Sequence, residues 1–136
     1  MWSESVKMAG QKQLSERDRA EIVDVINAVA FILDSRGYDR LGEVFAPDML
    51  FENPGRLKAD GLDNVIAAFK GFASPAISHF ITNTILSTDD AGTVRALSKA
   101  LSIRQDKSLV AAEYSDVMTR TDQGWRIASR SIKALG

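Results

Sequence analysis

The sequence predicts an α+β fold in which a curved sheet, mixed or antiparallel, wraps around a long N-terminal helix as a cone-shaped barrel. Apolar residues in the first part of the chain recur at steps of three and four, which indicates amphipathic helices. From Ser78 onward the apolar pattern has a period of two, which indicates strands. Because helices come first and strands follow, the arrangement is α+β, and the open mouth of such a cone is a natural small-molecule pocket.

The first predicted element is a helix over residues 15–36. Ser15 and Asp18 have the spacing of a helix cap, in which an acidic residue follows a serine by three positions. Gly37 is a typical residue just beyond a helix end. One face of this helix is apolar and is formed by Ile22, Val25, Ile26, Val29, Ile32 and Leu33.

Short elements fill the region between this helix and Ser78. Pro47 and Asp48 interrupt the chain, because proline fixes its own backbone and removes a hydrogen-bond donor. The predicted elements are a short helix over residues 38–45, a strand over residues 49–52, a turn and polar loop over residues 53–61, and a helix over residues 62–71.

Four long strands then form an antiparallel meander. Their predicted ranges are residues 78–87, 92–105, 108–121 and 124–134, joined by turns rich in Asp and Gly. Period-two alternation places alternate side chains of the first of these strands on opposite faces. It predicts one face with His79, Ile81, Asn83 and Ile85 and the other with Phe80, Thr82, Thr84 and Leu86.

Length and charge limit the organisation and the partners. The chain has 136 residues, and we expect a single domain over residues 15–136 after a loose tail over residues 1–14. Its 17 basic and 18 acidic residues give a net charge of −1, which favours neither nucleic acid nor an anionic membrane as a partner. No apolar run could span a membrane, and the N-terminus lacks the apolar core of a secretory signal, so we expect a cytoplasmic protein.

Composition also limits the chemistry. The absence of cysteine excludes disulfides, thiolate metal sites and a cysteine nucleophile. There is one histidine and no clustered acidic spacing, so we expect no metal. No glycine-rich phosphate motif and no Gly-x-Ser-x-Gly sequence occurs, so we expect no cofactor and no serine nucleophile.

Four stretches in order, at characteristic spacing, resemble the SnoaL-like family of the nuclear transport factor 2-like superfamily. The resemblance covers nearly the whole chain and implies the cone-shaped fold. In the first stretch, residues 34–48, Asp34 closes the first helix and Phe45-Ala46-Pro47-Asp48 follows it. The second stretch is residues 61–66, and the third is residues 78–83, with His79 and Asn83. The fourth is residues 114–130, with Tyr114, Asp116, Gly124-Trp125, Ile127 and Arg130.

Asp34 and His79 are the candidate catalytic residues. Asp34 follows Ala30 by four positions and Ile26 by eight, so it borders the buried face of the helix, where a carboxylate needs a partner. A carboxylate bound to one ring nitrogen of a histidine fixes its tautomer and stabilises the imidazolium, which makes a general base. The resemblance to scytalone dehydratases and hexachlorocyclohexane dehydrochlorinases implies this pair and proton abstraction next to a carbonyl or leaving group. Each residue alone is more often a surface or structural group.

Departures from these relatives limit the assignment. Scytalone dehydratases use a second histidine and two tyrosines, whereas this chain has one histidine and carries Leu33 where one such tyrosine would precede the aspartate. Dehydrochlorinases add a lysine in the first helix, where this chain has Val29, and an arginine that matches Arg120. Asn83, Tyr114 and Arg120 are the candidate substrate-binding residues. Arg120 is more often a surface arginine at a strand end, and Tyr114, Trp125 and Ile127 are typical core residues.

The sequence therefore favours a cofactor-independent lyase, isomerase or cyclase acting on a small, mostly apolar, cyclic molecule, with dehydratase-like elimination as the first choice. Two alternatives remain open on the same fold. A noncatalytic ligand-binding module predicts a pocket in which Asp34 and His79 do not touch, and a dimerising module predicts a filled cone and an exposed apolar sheet face. The resemblance also implies a homodimer or homotrimer.

Overall fold

The computed structural model describes residues 14–136, so most of the predicted tail lies outside the described residues. Leu14, assigned to that tail, is buried in the core, and the packed region therefore begins one residue earlier than expected. In order, the elements are helix α1 (Glu16–Asp34), a 3₁₀ helix (Tyr38–Glu43), strands β1 (Phe45–Asn53) and β2 (Leu57–Asp60), helix α2 (Leu62–Lys70), and strands β3 (Ser78–Thr88), β4 (Val94–Ile103), β5 (Leu109–Thr121) and β6 (Gly124–Ala134).

The strands form one six-stranded mixed sheet in the order β2-β1-β6-β5-β4-β3. Neighbouring strands are antiparallel except for β1 and β6, which are parallel. The predicted α+β class, with a mixed sheet and a long N-terminal helix, is confirmed. The sheet is open rather than closed into a barrel, because β2 and β3 are its two edges.

Helix α1 packs its apolar face against β3 and β6. Ile22, Ile26 and Val29 are at most 1% exposed, and burial of each such side chain contributes roughly 1.5–3 kcal/mol. The predicted cap is confirmed, since the Ser15 hydroxyl accepts a hydrogen bond from the Asp18 backbone N–H at 3.0 Å. Among residues 14–136, no helix is both long and apolar enough to cross a membrane.

The region between α1 and α2 differs most from the prediction. The short helix is a 3₁₀ helix that ends at Glu43, and β1 begins at Phe45, four residues before the expected strand. Pro47 lies inside β1 at a register shift between Phe45 and Leu50, where a missing N–H removes no ladder bond. The predicted polar loop contains β2, which pairs with β1.

A bulge in β3 overturns the predicted faces of that strand. The pairing of β3 with β4 shifts between Thr82 and Ile85, and Asn83 adopts a φ of +57°. His79 and Ile81 therefore share the concave face with Thr84 and Leu86, whereas Asn83 is exposed. The strict alternation expected from the sequence fails because one extra residue inverts every position beyond it.

We expect the Asn83→Val variant to be destabilised by about 1–2 kcal/mol, because a β-branched residue tolerates positive φ poorly. The matched Asn83→Gly variant should keep the wild-type free energy of unfolding within about 0.5 kcal/mol or exceed it, since glycine adopts this conformation freely. Urea unfolding measures both. Equal stability of the two variants would contradict a left-handed backbone at this bulge.

Candidate active site

An open cavity of about 450 Å³ lies between the end of α1, helix α2 and one end of the curved sheet. This volume suits a small organic ligand. Its lining residues come from every element from α1 to β6: Leu33, Arg36, Tyr38, Phe51, Asn53, Arg56, Leu57, Phe69, Phe72, Ser74, Pro75, Ala76, His79, Ser102, Arg104, Gln105, Asp106, Val110, Tyr114, Arg130 and Ile132.

One wall of the cavity is aromatic. Phe69 of α2 is at its centre, with its ring centroid 5.9 Å from Tyr38, in a stacked arrangement. Phe51 and Phe72 meet the Phe69 ring edge-on at 5.4 and 5.5 Å. Such offset and edge-on contacts hold the four rings in a fixed arrangement, and this wall offers an aromatic, apolar surface to a ligand.

The structure brings together the two predicted catalytic residues, Asp34 at the last position of α1 and His79 at the second position of β3. His79 Nδ1 lies 2.7 Å from Asp34 Oδ1. The second carboxylate oxygen accepts hydrogen bonds from the His79 backbone N–H at 3.0 Å and from the Ser78 hydroxyl at 3.2 Å. Both side chains are largely buried, with 18% of His79 and 24% of Asp34 exposed.

These contacts fix the imidazole by its Nδ1 edge. Because the carboxylate accepts at Nδ1, the neutral ring carries its proton there and leaves Nε2 as the basic nitrogen. Nε2 makes no hydrogen bond with residues 14–136, and His79 lines the cavity whereas Asp34 does not. An imidazole held in this way can accept a proton at Nε2, and the carboxylate at Nδ1 would stabilise the cation that forms.

A buried ion pair forms the floor of the cavity. Arg130 of β6 donates from Nε and Nη2 to the two carboxylate oxygens of Asp116 on β5, both at 2.8 Å, and both side chains are at most 2% exposed. Burial by itself would lower the pKa of Arg130, but the charge and hydrogen bonds of Asp116 raise it above its ordinary value. The guanidinium also lies over the Tyr114 ring, 4.5 Å from its centroid.

Tyr114 is buried beside this ion pair and lines the cavity. Burial raises the pKa of its phenol, which the nearby Arg130 charge only partly opposes. Tyr114 is therefore a neutral hydroxyl that can donate a hydrogen bond to a ligand oxygen. The expected core positions of Tyr114, Trp125 and Ile127 are confirmed, as all three are buried.

Two predicted substrate-binding residues lie away from the cavity. Asn83 is exposed at the β3 bulge and is not part of the lining. Arg120 donates to Asp18 Oδ1 at 2.6 Å and lies over the Trp125 ring at 4.6 Å, which places it at the surface near the start of α1. The structure therefore assigns Arg120 a tethering contact between β5 and α1.

Sequence reasoning gave no role to the charged residues of the cavity floor and rim. Arg130 and Asp116 lie directly opposite each other on neighbouring strands, and Asp116 follows the same alternation as the buried Tyr114. That alternation is the signal that could have identified the pair. Arg36, Arg56 and Arg104 belong to turns and strand ends, for which no periodicity predicts a direction. Within residues 14–136, no group of three or more His, Cys, Asp or Glu residues could hold a metal ion.

The fold and this cavity define an α+β protein of the class that encloses a small-molecule site between a helix and a curved sheet. The family model described as the SnoaL-like domain matches residues 15–131, so the chain belongs to the SnoaL-like family. This confirms the resemblance found in the sequence. A comparison with the curated proteins gives no significant match.

Solved structures share this fold at low identity. The hexachlorocyclohexane dehydrochlorinase LinA-type3 from Novosphingobium barchaimii is 21% identical, with a TM-score of 0.73 over 90% of this chain and 92% of that one. ActVI-ORFA from Streptomyces coelicolor is 22% identical, with a TM-score of 0.72 over 85% and 96%. A candidate scytalone dehydratase from Novosphingobium aromaticivorans is 16% identical, with a TM-score of 0.68 over 88% and 85%.

The tautomer of His79 can be read directly, because the chain has one histidine. At a pH where the ring is neutral, we expect ¹⁵N NMR to show the proton on Nδ1 and a bare Nε2 in the wild type, since Asp34 accepts at Nδ1. The Asp34→Ala variant should lose this preference. A proton on Nε2 in the wild type would contradict the hydrogen bond seen here.

The ionisation of Tyr114 provides a second test. The chain has two tyrosines, so the Tyr38→Phe variant leaves Tyr114 as the only phenol. Because burial disfavours the phenolate, we expect absorbance near 295 nm to report a pKa above the ordinary value of 10.0, and the hydroxyl stays protonated below that pH. A titration at or below pH 10 in the folded protein would contradict a buried, neutral hydroxyl.

Proposed function

We propose that this protein is a cofactor-independent lyase, isomerase or cyclase that acts on a small, mostly apolar, cyclic molecule, with dehydratase-like elimination favoured. The observation that carries the proposal is the Asp34–His79 pair, in which Nδ1 is bound to the carboxylate and Nε2 is unpaired beside an open cavity. Membership of the SnoaL-like family supports this class of activity in general terms. Its structural neighbours include a dehydrochlorinase and a candidate dehydratase.

In the proposed reaction, His79 Nε2 removes a proton from a carbon next to a carbonyl or a leaving group. The electron pair of the broken C–H bond becomes the new C=C bond, and in elimination the leaving group departs with its own bonding pair. The proton stays on the imidazole, and the resulting cation is stabilised by Asp34 at 2.7 Å. Tyr114, as a neutral donor in the same cavity, would hydrogen-bond the carbonyl oxygen or the leaving group.

The rest of the rate enhancement would come from the positioning of the substrate and from the exclusion of water from the cavity. A general base contributes about 10²–10⁴-fold in rate, which is less than most enzymes need. The aromatic wall built on Phe69 would hold a flat ring against the imidazole and displace solvent from it. An open cavity favours this reading over a purely dimerising module, which predicts a filled cone. The expected homodimer or homotrimer stays a prediction.

The test is a panel of cyclic β-hydroxy ketones and cyclic halides incubated with the protein in D₂O. Product formation is followed by absorbance and deuterium incorporation by NMR. We expect turnover by the wild type, a loss of kcat/KM of about 10²–10⁴-fold in His79→Gln, and a loss of about 10²-fold in Asp34→Asn. Arg95→Gln, a change in an exposed arginine paired with Asp89 outside the cavity, is the control and should keep full activity.

Retention of turnover by His79→Gln would contradict the proposed base. Ligand binding by the wild type with neither product nor deuterium exchange across the panel would favour the noncatalytic binding module. Near-ultraviolet circular dichroism of each variant separates loss of chemistry from loss of fold.

A further inference from the structure

The charged residues that line the cavity are strongly biased towards positive charge. They include four arginines, Arg36, Arg56, Arg104 and Arg130, and a single carboxylate, Asp106. The whole chain carries a net charge of −1, so this bias does not follow from composition. A cavity lined by one sign of charge raises the local concentration of ligands of the opposite sign.

Three of these arginines lie at the opening. Arg130 is buried and neutralised by Asp116, whereas Arg36, Arg56 and Arg104 are exposed, and exposed side chains that line a cavity lie at its mouth. They come from three separate segments: the turn after α1, the turn between β1 and β2, and the connection after β4. The guanidinium groups that line the opening therefore come from segments far apart in the sequence.

The charge of these three arginines is only partly engaged within the protein: hydrogen bonds from Ser108 and, to a smaller extent, the charge of Arg104 hold the pKa of Asp106 below its ordinary value. None of them makes an ion pair with residues 14–136. The Nη1 group of Arg36 donates hydrogen bonds to the backbone carbonyls of Leu33 and Asp34, at 3.2 and 3.3 Å. The guanidinium of Arg56 lies over the Phe72 ring, 5.9 Å from its centroid. The one nearby acid, Asp106, accepts from the Ser108 backbone N–H and hydroxyl.

We propose that the ligand of this cavity is an aromatic or otherwise flat cyclic carboxylate, whose carboxylate is bound at the mouth by Arg36, Arg56 and Arg104. The inference rests on the proposed function in taking this cavity as the substrate site. The planar guanidinium fork matches a carboxylate in two parallel hydrogen bonds, and the aromatic wall next to Arg56 receives the ring. The end of the molecule far from the carboxylate then faces His79 and Tyr114, which are buried deeper than the rim.

The first experiment compares two probes of the same shape, 2-naphthoate and 2-naphthylmethanol, by isothermal titration calorimetry at pH 7. The wild type should bind the carboxylate about tenfold more tightly than the alcohol, because only the carboxylate gains charge-assisted hydrogen bonds. Raising the ionic strength to 0.5 M should weaken naphthoate binding and leave the alcohol unchanged, since salt screens exposed charges.

The second experiment removes the rim charges singly and together. Arg36→Gln, Arg56→Gln and Arg104→Gln should each weaken naphthoate binding about twofold to fivefold, and the triple variant about tenfold or more, with no change for the alcohol. Arg17→Gln is the matched control, because Arg17 is exposed, has no ion pair with the described residues and lies outside the cavity. Arg36 also donates a hydrogen bond to a carbonyl at the end of α1, so Arg36→Gln can destabilise the fold. If that variant unfolds, the Arg56→Gln and Arg104→Gln variants provide the test.

Equal affinity for the two probes, no detectable binding of naphthoate, or unchanged naphthoate binding in the triple variant would each overturn the proposal. These readouts do not depend on His79. Carboxylate selectivity without His79-dependent turnover would support the anionic ligand and count against the proposed reaction. His79-dependent turnover of neutral ketones without carboxylate selectivity would support the proposed reaction and count against the anionic ligand.

Discussion

The carboxylate of Asp34 ties the end of α1 to the start of β3, and the geometry of the cavity depends on this contact. A carboxylate at a helix C-terminus is disfavoured by the helix dipole, and α1 has no basic residue in its last turn. Three donors, the His79 ring, the His79 backbone N–H and the Ser78 hydroxyl, offset that cost. All three donors belong to the first two residues of β3, so one carboxylate holds both the start of this strand and the imidazole against the end of α1.

The floor of the cavity is held by a buried ion pair and does not involve Asp34. The Arg130–Asp116 pair loses most of its hydration on burial, and apolar residues of the same volume could pack there at similar or lower free energy. Its bidentate geometry instead fixes a guanidinium plane against the Tyr114 ring. The pair thus keeps the buried end of the cavity polar, with its guanidinium packed against the phenol ring.

The sequence was most informative where a regular period persists. The apolar face of α1 and the meander from β3 to β6 follow from spacing, and the pairing of Asp34 with His79 follows from residue type and the family pattern. The segment around Pro47 was less predictable, because β2 is short and the first half of β1 is irregular where it pairs with β6, a strand far away in the sequence. The Asn83 bulge depends on tertiary packing, which no local pattern encodes, whereas the burial of Asp116 opposite Arg130 follows the alternation of β5.

The bulge in β3 also divides the strand into a half that borders the cavity and a half that is packed in the body of the sheet. Before Asn83, the strand supplies the His79 imidazole that lines the cavity and its contacts with Asp34, whereas Leu86 and Thr88 beyond it are buried in the body of the sheet. A kink between the two halves means that packing adjustments in the second half need not shift the first. Substitutions in the second half of β3 can therefore be absorbed within the body of the sheet while the half that borders the cavity keeps its register.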